Sequence, residues 1–225
     1  MKTTNPVTQK YAKIREGGRR AYQDGTVKNF AGFPESLKKR ISMLLSFDAE
    51  SSSRIEAVPA KLVSDNRSYR FLVASRDFPL HTTLLEGEAS VEVNVFSDTL
   101  QKLRNDVSED LLGQEVVFDQ LIADAGGSII LAATEIPECV LDARMLIVES
   151  YQSEGLKVLP LDNILHSTQV RVVGFADDAK LLSVFHHEIE ETNSQLEQKP
   201  IVARIAEVAL CQAYAFLNSF NMKTG

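Results

Sequence analysis

Apolar and polar positions alternate along the chain in two distinct periods. Apolar residues spaced three and four positions apart are typical of an amphipathic helix, and alternation every second position is typical of a strand. The helical period predicts helices at 35–45, 97–113, 137–150 and 177–200. The period of two predicts strands at 55–63, 68–75, 78–87, 115–122, 128–133, 163–172 and 201–216. Turn residues at 64–67 and at 124–127 predict two hairpins.

This order of elements contains a weak internal repeat. Two strands, at 78–87 and 163–172, are each followed by a helix and then by another apolar strand. Val116 lies 35 positions after His81 (116 − 81), and Ile201 lies 35 positions after His166 (201 − 166). We therefore expect two similar halves around a pseudo-two-fold axis, which would bring the two histidine strands face to face.

Composition and charge limit the possible classes of protein. The 225 residues carry a formal net charge of −7, which argues against sequence-independent coating of nucleic acid. No apolar run is long enough to span a bilayer, and the N-terminus lacks the apolar core of a secretory signal. We therefore expect a cytoplasmic protein that does not enter a membrane, and a monomer. Cys139 and Cys211 are expected to be two buried thiols.

Residues 1–30 form the basic end of this acidic chain. Their Lys and Arg residues lack a convincing apolar period, which favours a solvated or loosely docked extension. The alternative is an arm that contacts RNA or a partner. We predict an N-terminal extension with one helix at 1–45, followed by a two-lobed domain at 46–225.

The two histidine strands carry the same short motif. FPLHTTLLEG at 78–87 and NILHSTQVRV at 163–172 each contain Leu-His-x-Thr, and the two motifs are 85 positions apart (166 − 81). The period of a strand places His81 with Thr83 on one face, and His166 with Thr168 on one face. The structural interpretation of a single His-x-Thr is a hydrogen-bonded strand histidine, since strands favour threonine. Two matched copies favour an active site.

Two facing histidines suit the cleavage of a phosphodiester. Because the ordinary pKa of histidine is about 6.5, one ring can accept a proton from the attacking oxygen while the other donates one to the leaving oxygen. Threonine hydroxyls beside them can stabilise the negative charge of the pentavalent transition state without a metal. We therefore expect no cofactor and no metal ion.

Paired His-x-Thr strands in a chain of this length resemble the two-histidine phosphoesterase superfamily, in particular the bacterial 2′–5′ RNA ligase and cyclic phosphodiesterase (LigT-like) family. The resemblance covers about 55–215 and implies an α+β fold with two antiparallel sheets around a cleft and helices outside. It implies His81 and His166 as the general acid and base. It also implies Thr83, Thr168 and Arg171 as phosphate-binding residues, since the second motif continues as His-x-Thr-x-x-Arg.

The expected substrate is a cyclic phosphate or a 2′–5′-type phosphodiester at a nucleotide or RNA end. A catalytically silent nucleotide- or RNA-binding module with the same cleft is the alternative, and a structural domain with coincidental motifs is a third possibility. Thr82, Ser167 and Gln169 depart from the family pattern, which is apolar at these positions, and are expected to face away from the cleft. The adjacent His186 and His187 diverge by about 100° on a helix, which favours a solvated face over a metal site.

Overall fold

The structure is a computed structural model that describes residues 5–28, 39–65, 70–77, 79–89, 97–159, 164–174 and 179–214. Its elements in chain order are α1 (Pro6–Asp24), β1 (Lys39–Phe47), α2 (Ala49–Asp65), β2 (Arg70–Val73), β3 (Thr82–Ala89), α3 (Asp98–Leu111), β4 (Glu115–Phe118), β5 (Gln120–Ala123), β6 (Ser128–Ala133), α4 (Glu138–Ser153), β7 (Leu156–Val158), β8 (Leu165–Gly174), α5 (Ala179–Gln198) and β9 (Ile201–Tyr214).

The strands form two antiparallel sheets, as the α+β prediction requires. The first sheet has five strands in the order β4-β9-β1-β3-β7, and the second has four in the order β2-β8-β6-β5. Helices α3 and α4 pack on the first sheet, whereas α5 packs on the second. One large apolar cluster joins both sheets to their helices. Within the described residues, no helix combines the length and the apolar character required to cross a bilayer.

Several predicted elements are confirmed. Ser97 caps α3 by accepting a hydrogen bond from Leu100 N, as expected of an N-cap serine. The 124–127 turn joins β5 to β6, and the predicted elements at 68–75, 137–150 and 201–216 correspond to β2, α4 and β9. The predicted helix at 177–200 is α5; its first two residues lie outside the described residues.

The helix predicted at 35–45 is wrong, because residues from Lys39 onward form the strand β1. Its odd positions Ile41, Met43 and Leu45 are all fully buried, which is the period of a strand. Leu44 is buried on the opposite face against Ala209, so β1 is covered on both sides and its alternation is concealed. The domain boundary predicted between residues 45 and 46 falls inside β1. This strand pairs with β3 on one side and with β9 on the other.

The strand predicted at 55–63, and with it the hairpin at 64–67, is also wrong. This segment belongs to the helix α2, which buries Ser51, Ile55 and Leu62 at helical spacing. Asp48 begins the helix by accepting a hydrogen bond from Ser51 N at 2.8 Å. The hairpin residues 66 and 67 lie outside the described residues.

The single strand predicted at 115–122 is divided at Asp119. Strand β4 pairs with β9 in the first sheet, and β5 pairs with β6 in the second. The backbone of Asp119 donates to Ala132 O, and its carboxylate accepts a hydrogen bond from Thr134 N at 3.0 Å. The chain therefore crosses between the two sheets at this residue.

The described part of the N-terminal segment, residues 5–28, is not a solvated extension, so that prediction is wrong for these residues. Helix α1 packs on β5 and on α5, and Tyr11 and Tyr22 are fully buried. Gly18 allows this contact, because a Cβ at this position would lie 1.9 Å from Ala123 O. Both tyrosines would be costly to expose, so α1 is part of the folded core.

Candidate active site

The two motif strands belong to different sheets and meet each other. His81 immediately precedes β3 in the first sheet, and His166 lies on β8 in the second. The hydroxyl of Ser167 donates to His81 O at 2.6 Å, which joins the two motifs directly. Sequence alone does not show this contact, because it bridges 86 positions.

Each motif is followed immediately by a β-bulge. Opposite β1, the register passes over Leu84, the residue after Thr83. Opposite β6, it passes over Gln169, the residue after Thr168. The two bulges are 85 positions apart (169 − 84), as the two histidines are, so the internal repeat extends to the irregularities of the strands. Bulges bend a strand and redirect its side chains, and they are frequent next to active sites.

The second bulge determines where Arg171 points. Strict alternation would place Arg171 on the strand face opposite to His166 and Thr168. The extra residue Gln169 reverses the phase, and all three side chains line one cavity of about 530 Å³. Besides these three, its lining residues are Lys13, Ile14, Gly17, Asp124, Ala125, Gly126, Ser128, Ile130 and Ile164.

The first motif lies near this cavity but does not line it. His81 and Thr83 are half-buried and are not among its lining residues. His81 is nevertheless close enough to lower the pKa of the His166 ring by electrostatic repulsion, and Arg171 acts on both rings in the same way. The structure therefore brings His81, His166 and Arg171 into one electrostatic group, with Thr168 beside the last two.

Both imidazoles are held in their neutral forms by their surroundings. Burial, then the charges of His81, Arg144 and Arg171, lowers the pKa of His166 to about 4. Burial also lowers the pKa of His81, opposed by its hydrogen bond to a backbone carbonyl and reinforced by Arg171. That carbonyl is Pro79 O, 2.8 Å from Nδ1 of His81. Because a carbonyl only accepts, Nδ1 carries the proton and the neutral ring presents its lone pair at Nε2.

The three polar residues that depart from the family pattern are fully buried, away from the cavity as expected. Thr82, Ser167 and Gln169 each have an exposed fraction of 0%. Ser167 uses its position to bond to His81, and the backbone carbonyl of Gln169 accepts from Ala74 N at 2.9 Å. The second motif strand is therefore deeply buried, and the side chain of Ser167 connects it to the first motif.

Arg144 of α4 forms hydrogen bonds to the backbone of both motif segments. This residue is 6% exposed, and its Nε donates to Leu84 O at 2.9 Å while its Nη2 donates to Ile164 O at 2.7 Å. Leu84 is the bulged residue of the first motif, and Ile164 directly precedes β8. A buried guanidinium with several donors can satisfy carbonyls of two segments at once, which a smaller cation could not do.

Tyr11 fixes α1 to the residue next to His166. Its hydroxyl donates to Leu165 O at 2.6 Å and accepts from Leu165 N at 3.0 Å. Both backbone groups of Leu165 are thus paired with one side chain of α1. The N-terminal helix is consequently held beside the second motif.

Sequence reasoning missed Tyr11, Lys13 and Arg144, although a signal existed for two of them. Arg144 lies on the apolar stripe of α4, between the buried residues Val140 and Ile147, where a solvated arginine is not expected. Tyr11 belongs to a stripe of buried and small residues on one face of α1. The two glycines of this helix make the segment look non-helical in the sequence, because glycine is a poor helix former. Nothing in the sequence distinguishes Lys13 from its basic neighbours.

The prediction for the histidine pair of α5 is half wrong. His186 is 6% exposed and packs against Tyr22, with 5.5 Å between ring centroids, so it does not belong to a solvated face. His187 is exposed and lies 3.4 Å from Glu191. Cys211 is buried and Cys139 is half-buried, and neither forms a disulfide. Among the described residues, no group of three or more His, Cys, Asp or Glu side chains is arranged to hold a metal ion.

No protein-family model and no curated protein matches the chain. Among solved structures, the chain is similar to E. coli LigT complexed with 3'-AMP, with 17% identity, coverage of 63% of this chain and 76% of that one, and a TM-score of 0.44. It is similar to E. coli LigT in its apo form, with 16% identity, coverage of 64% and 77%, and a TM-score of 0.42. It is also similar to ATU0111 of Agrobacterium tumefaciens, a conserved protein of unknown function, with 12% identity, coverage of 79% and 82%, and a TM-score of 0.50.

LigT is thus among the similar structures. The similarity to the Agrobacterium protein shows that the two chains share a fold.

Proposed function

We propose that the protein is a metal-independent phosphodiesterase that opens a cyclic phosphate or cleaves a 2′–5′-type phosphodiester of a nucleotide or RNA end. The observation that supports this proposal is the meeting of two His-x-Thr segments from two sheets, each followed by a bulge at the same position. A coincidental pair of motifs would have no reason to share this detail.

In the proposed reaction, one imidazole accepts a proton from the attacking water and the other donates a proton to the leaving oxygen. His81 and His166 take these two roles, and each role is typically worth about 10²- to 10⁴-fold in rate. The lone pair that the Pro79 carbonyl leaves at Nε2 of His81 suits a general base. The assignment of base and acid depends on how the substrate is oriented.

Three further residues are proposed to hold the phosphate. The hydroxyls of Thr83 and Thr168 donate to the non-bridging oxygens, and the guanidinium of Arg171 compensates their charge. The bound dianionic transition state would also favour protonation of a nearby imidazole, which counteracts the low pKa of the free histidines.

The test is an assay with purified protein, 2′,3′-cyclic nucleotides and short 2′–5′ and 3′–5′ oligonucleotides, with excess EDTA throughout. We expect turnover that persists in EDTA and falls by at least about 10²-fold in His81→Ala and in His166→Ala. The variant His187→Ala, on the exposed side of α5, is the matched control and should retain full activity.

Other outcomes separate the alternatives. Binding of nucleotides without turnover would identify a catalytically silent binding module with the same cleft. Turnover that disappears in EDTA and returns with a divalent metal would contradict the metal-independent mechanism. If no nucleotide or oligonucleotide binds, the motifs have a structural role only.

A further inference from the structure

We propose that α1 forms one wall of the substrate site and that Lys13 binds a second phosphate of the substrate, separate from the one that reacts. This inference rests on the proposed function and specifies its substrate class: a nucleotide chain of at least two residues, or a nucleotide with an additional phosphate group.

Helix α1 is held firmly enough beside the motifs to act as a wall. Tyr11 bonds to both backbone groups of Leu165, the neighbour of His166. Gly18 brings the helix into contact with the backbone of Ala123, and beyond the helix Lys28 N donates to Ala125 O at 3.0 Å. These contacts join α1 to β8 and to the hairpin between β5 and β6, which are the other two walls of the cavity.

The side of α1 that faces the cavity carries one cation, one apolar residue and one glycine. Lys13, Ile14 and Gly17 line the cavity together with His166, Thr168 and Arg171. A Cβ placed on Gly17 would meet nothing within 4 Å, so the cavity is open at this point of the helix. Besides the proposed phosphate-binding residues Thr168 and Arg171, the cavity therefore has a cation and open space on the side of α1.

Lys13 differs from the other basic residues near it. Arg15 forms ion pairs with Glu190 and Glu197 of α5, and Arg19 and Arg20 both pair with Glu16. No described carboxylate forms an ion pair with Lys13, which is exposed at the edge of the cavity. Most of the positive charge of α1 is therefore compensated within the protein, and that of Lys13 remains available to an anionic ligand.

Two separate cations in one cavity fit a ligand with two separate anionic groups. Arg171, beside the histidines, is assigned to the reacting phosphate, and Lys13 to a neighbouring one. A cyclic mononucleotide has a single phosphate, which is assigned to Arg171 and the histidines and leaves none for Lys13. An oligonucleotide that ends in a 2′,3′-cyclic phosphate has an internal phosphodiester that can reach the second cation.

The experiment compares cyclic 2′,3′-AMP with a diadenosine dinucleotide that ends in a 2′,3′-cyclic phosphate. In Lys13→Gln, kcat/KM for the dinucleotide should fall about threefold to fivefold, the size expected for one solvent-exposed charge pair. For cyclic 2′,3′-AMP it should change less than twofold. Lys13→Arg should restore the dinucleotide value, and Arg20→Gln, an exposed variant on α1 away from the cavity, should change neither substrate.

Equal effects of Lys13→Gln on both substrates, or none on the dinucleotide, would overturn the role of Lys13 while leaving the proposed reaction intact. If the protein turns over neither substrate, the opening of a cyclic phosphate is rejected, and the assay of 2′–5′ oligonucleotides described above tests the other proposed reaction. The Kd of each nucleotide for wild type and for Lys13→Gln then decides the role of Lys13 alone. A loss of affinity confined to the dinucleotide supports it, and unchanged affinity rejects it.

Discussion

The surroundings of His166 strongly lower the pKa of its ring. Three features act on its ring in the same direction: burial, the neighbouring His81, and the positive charges of Arg144 and Arg171. Lys13 and Asp124 also face the cavity that it lines. The pKa of about 4 means that the folded protein keeps this ring neutral where a free histidine would already bind a proton.

This low pKa predicts an acid-dependent loss of stability. Well above a pH of about 6.5 the ring is neutral in both states, so it contributes no pH dependence there. As the pH falls towards 4, the unfolded chain binds a proton that the folded chain does not, and the free energy of unfolding decreases. The loss due to this residue should reach about 2 to 3 kcal/mol at pH 4.5, given the folded value of about 4.

The measurement is urea unfolding at pH 7 and at pH 4.5. Wild type should lose about 2 to 3 kcal/mol more than His166→Gln between these values, since all other groups titrate in both proteins. His187→Gln, at an exposed position of α5, should behave like wild type. Identical pH dependence in wild type and His166→Gln would show that this ring is not held neutral.

At the scale of elements, two neighbouring glycines in α1 have opposite structural roles. A Cβ at Gly18 would lie 1.9 Å from the carbonyl oxygen of Ala123, and a backbone atom cannot move away without disturbing β5. A Cβ at Gly17 would meet nothing within 4 Å. The docking of α1 therefore depends on one glycine and not on the other.

Alanine at each position separates helix propensity from docking. Gly17→Ala should raise the free energy of unfolding by about 0.5 to 1 kcal/mol, because alanine favours the helix. Gly18→Ala has the same intrinsic benefit but should lower it by about 1 to 3 kcal/mol, because α1 must move away from β5. Urea unfolding of both variants provides the comparison, and equal effects would mean that α1 does not pack against Ala123.

Elements of the fold were predictable from sequence where one face is exposed and no interior glycine or proline obscures the period. Helix α5 and strand β4 alternate between buried and exposed residues, and their periods identify them. Strand β1 is buried on both faces, so its period is lost, and α2 has Pro59 in its interior, which suggests a non-helical segment. The motif histidines were recognisable because they repeat, but the bulges depend on pairing between distant strands and leave no local signature.

At the scale of the whole molecule, the candidate site depends on how one sheet is held against the other. The first motif belongs to the five-stranded sheet and the second to the four-stranded sheet. Ser167 and Arg144 connect them, the first through His81 O and the second through Leu84 O and Ile164 O. The distance between the two imidazoles is therefore set by contacts between the sheets and not by either motif alone.

Substitutions of Arg144 can separate its geometric role from its charge. Arg144→Lys keeps a cation near His166 but lacks the fork that reaches Leu84 O and Ile164 O together. Arg144→Met removes both the hydrogen bonds and the charge. We expect kcat for the proposed phosphodiesterase reaction to fall in both variants by about 10- to 100-fold, because small displacements of paired catalytic groups are costly.

The pKa of His166, followed by NMR titration, distinguishes the two variants. The positive charge of Arg144 lowers this pKa in the wild type, so the pKa should rise in Arg144→Met and remain low in Arg144→Lys. A structural defect alone would not produce this difference, since both variants lose the double contact.

Full kcat in Arg144→Lys would show that one donor suffices to hold the two sheets. An unchanged His166 pKa in Arg144→Met would show that the guanidinium does not act on the ring. The combination of low kcat in both variants with a raised pKa only in Arg144→Met would establish that one buried arginine both joins the two halves of the molecule and sets the protonation of the site between them.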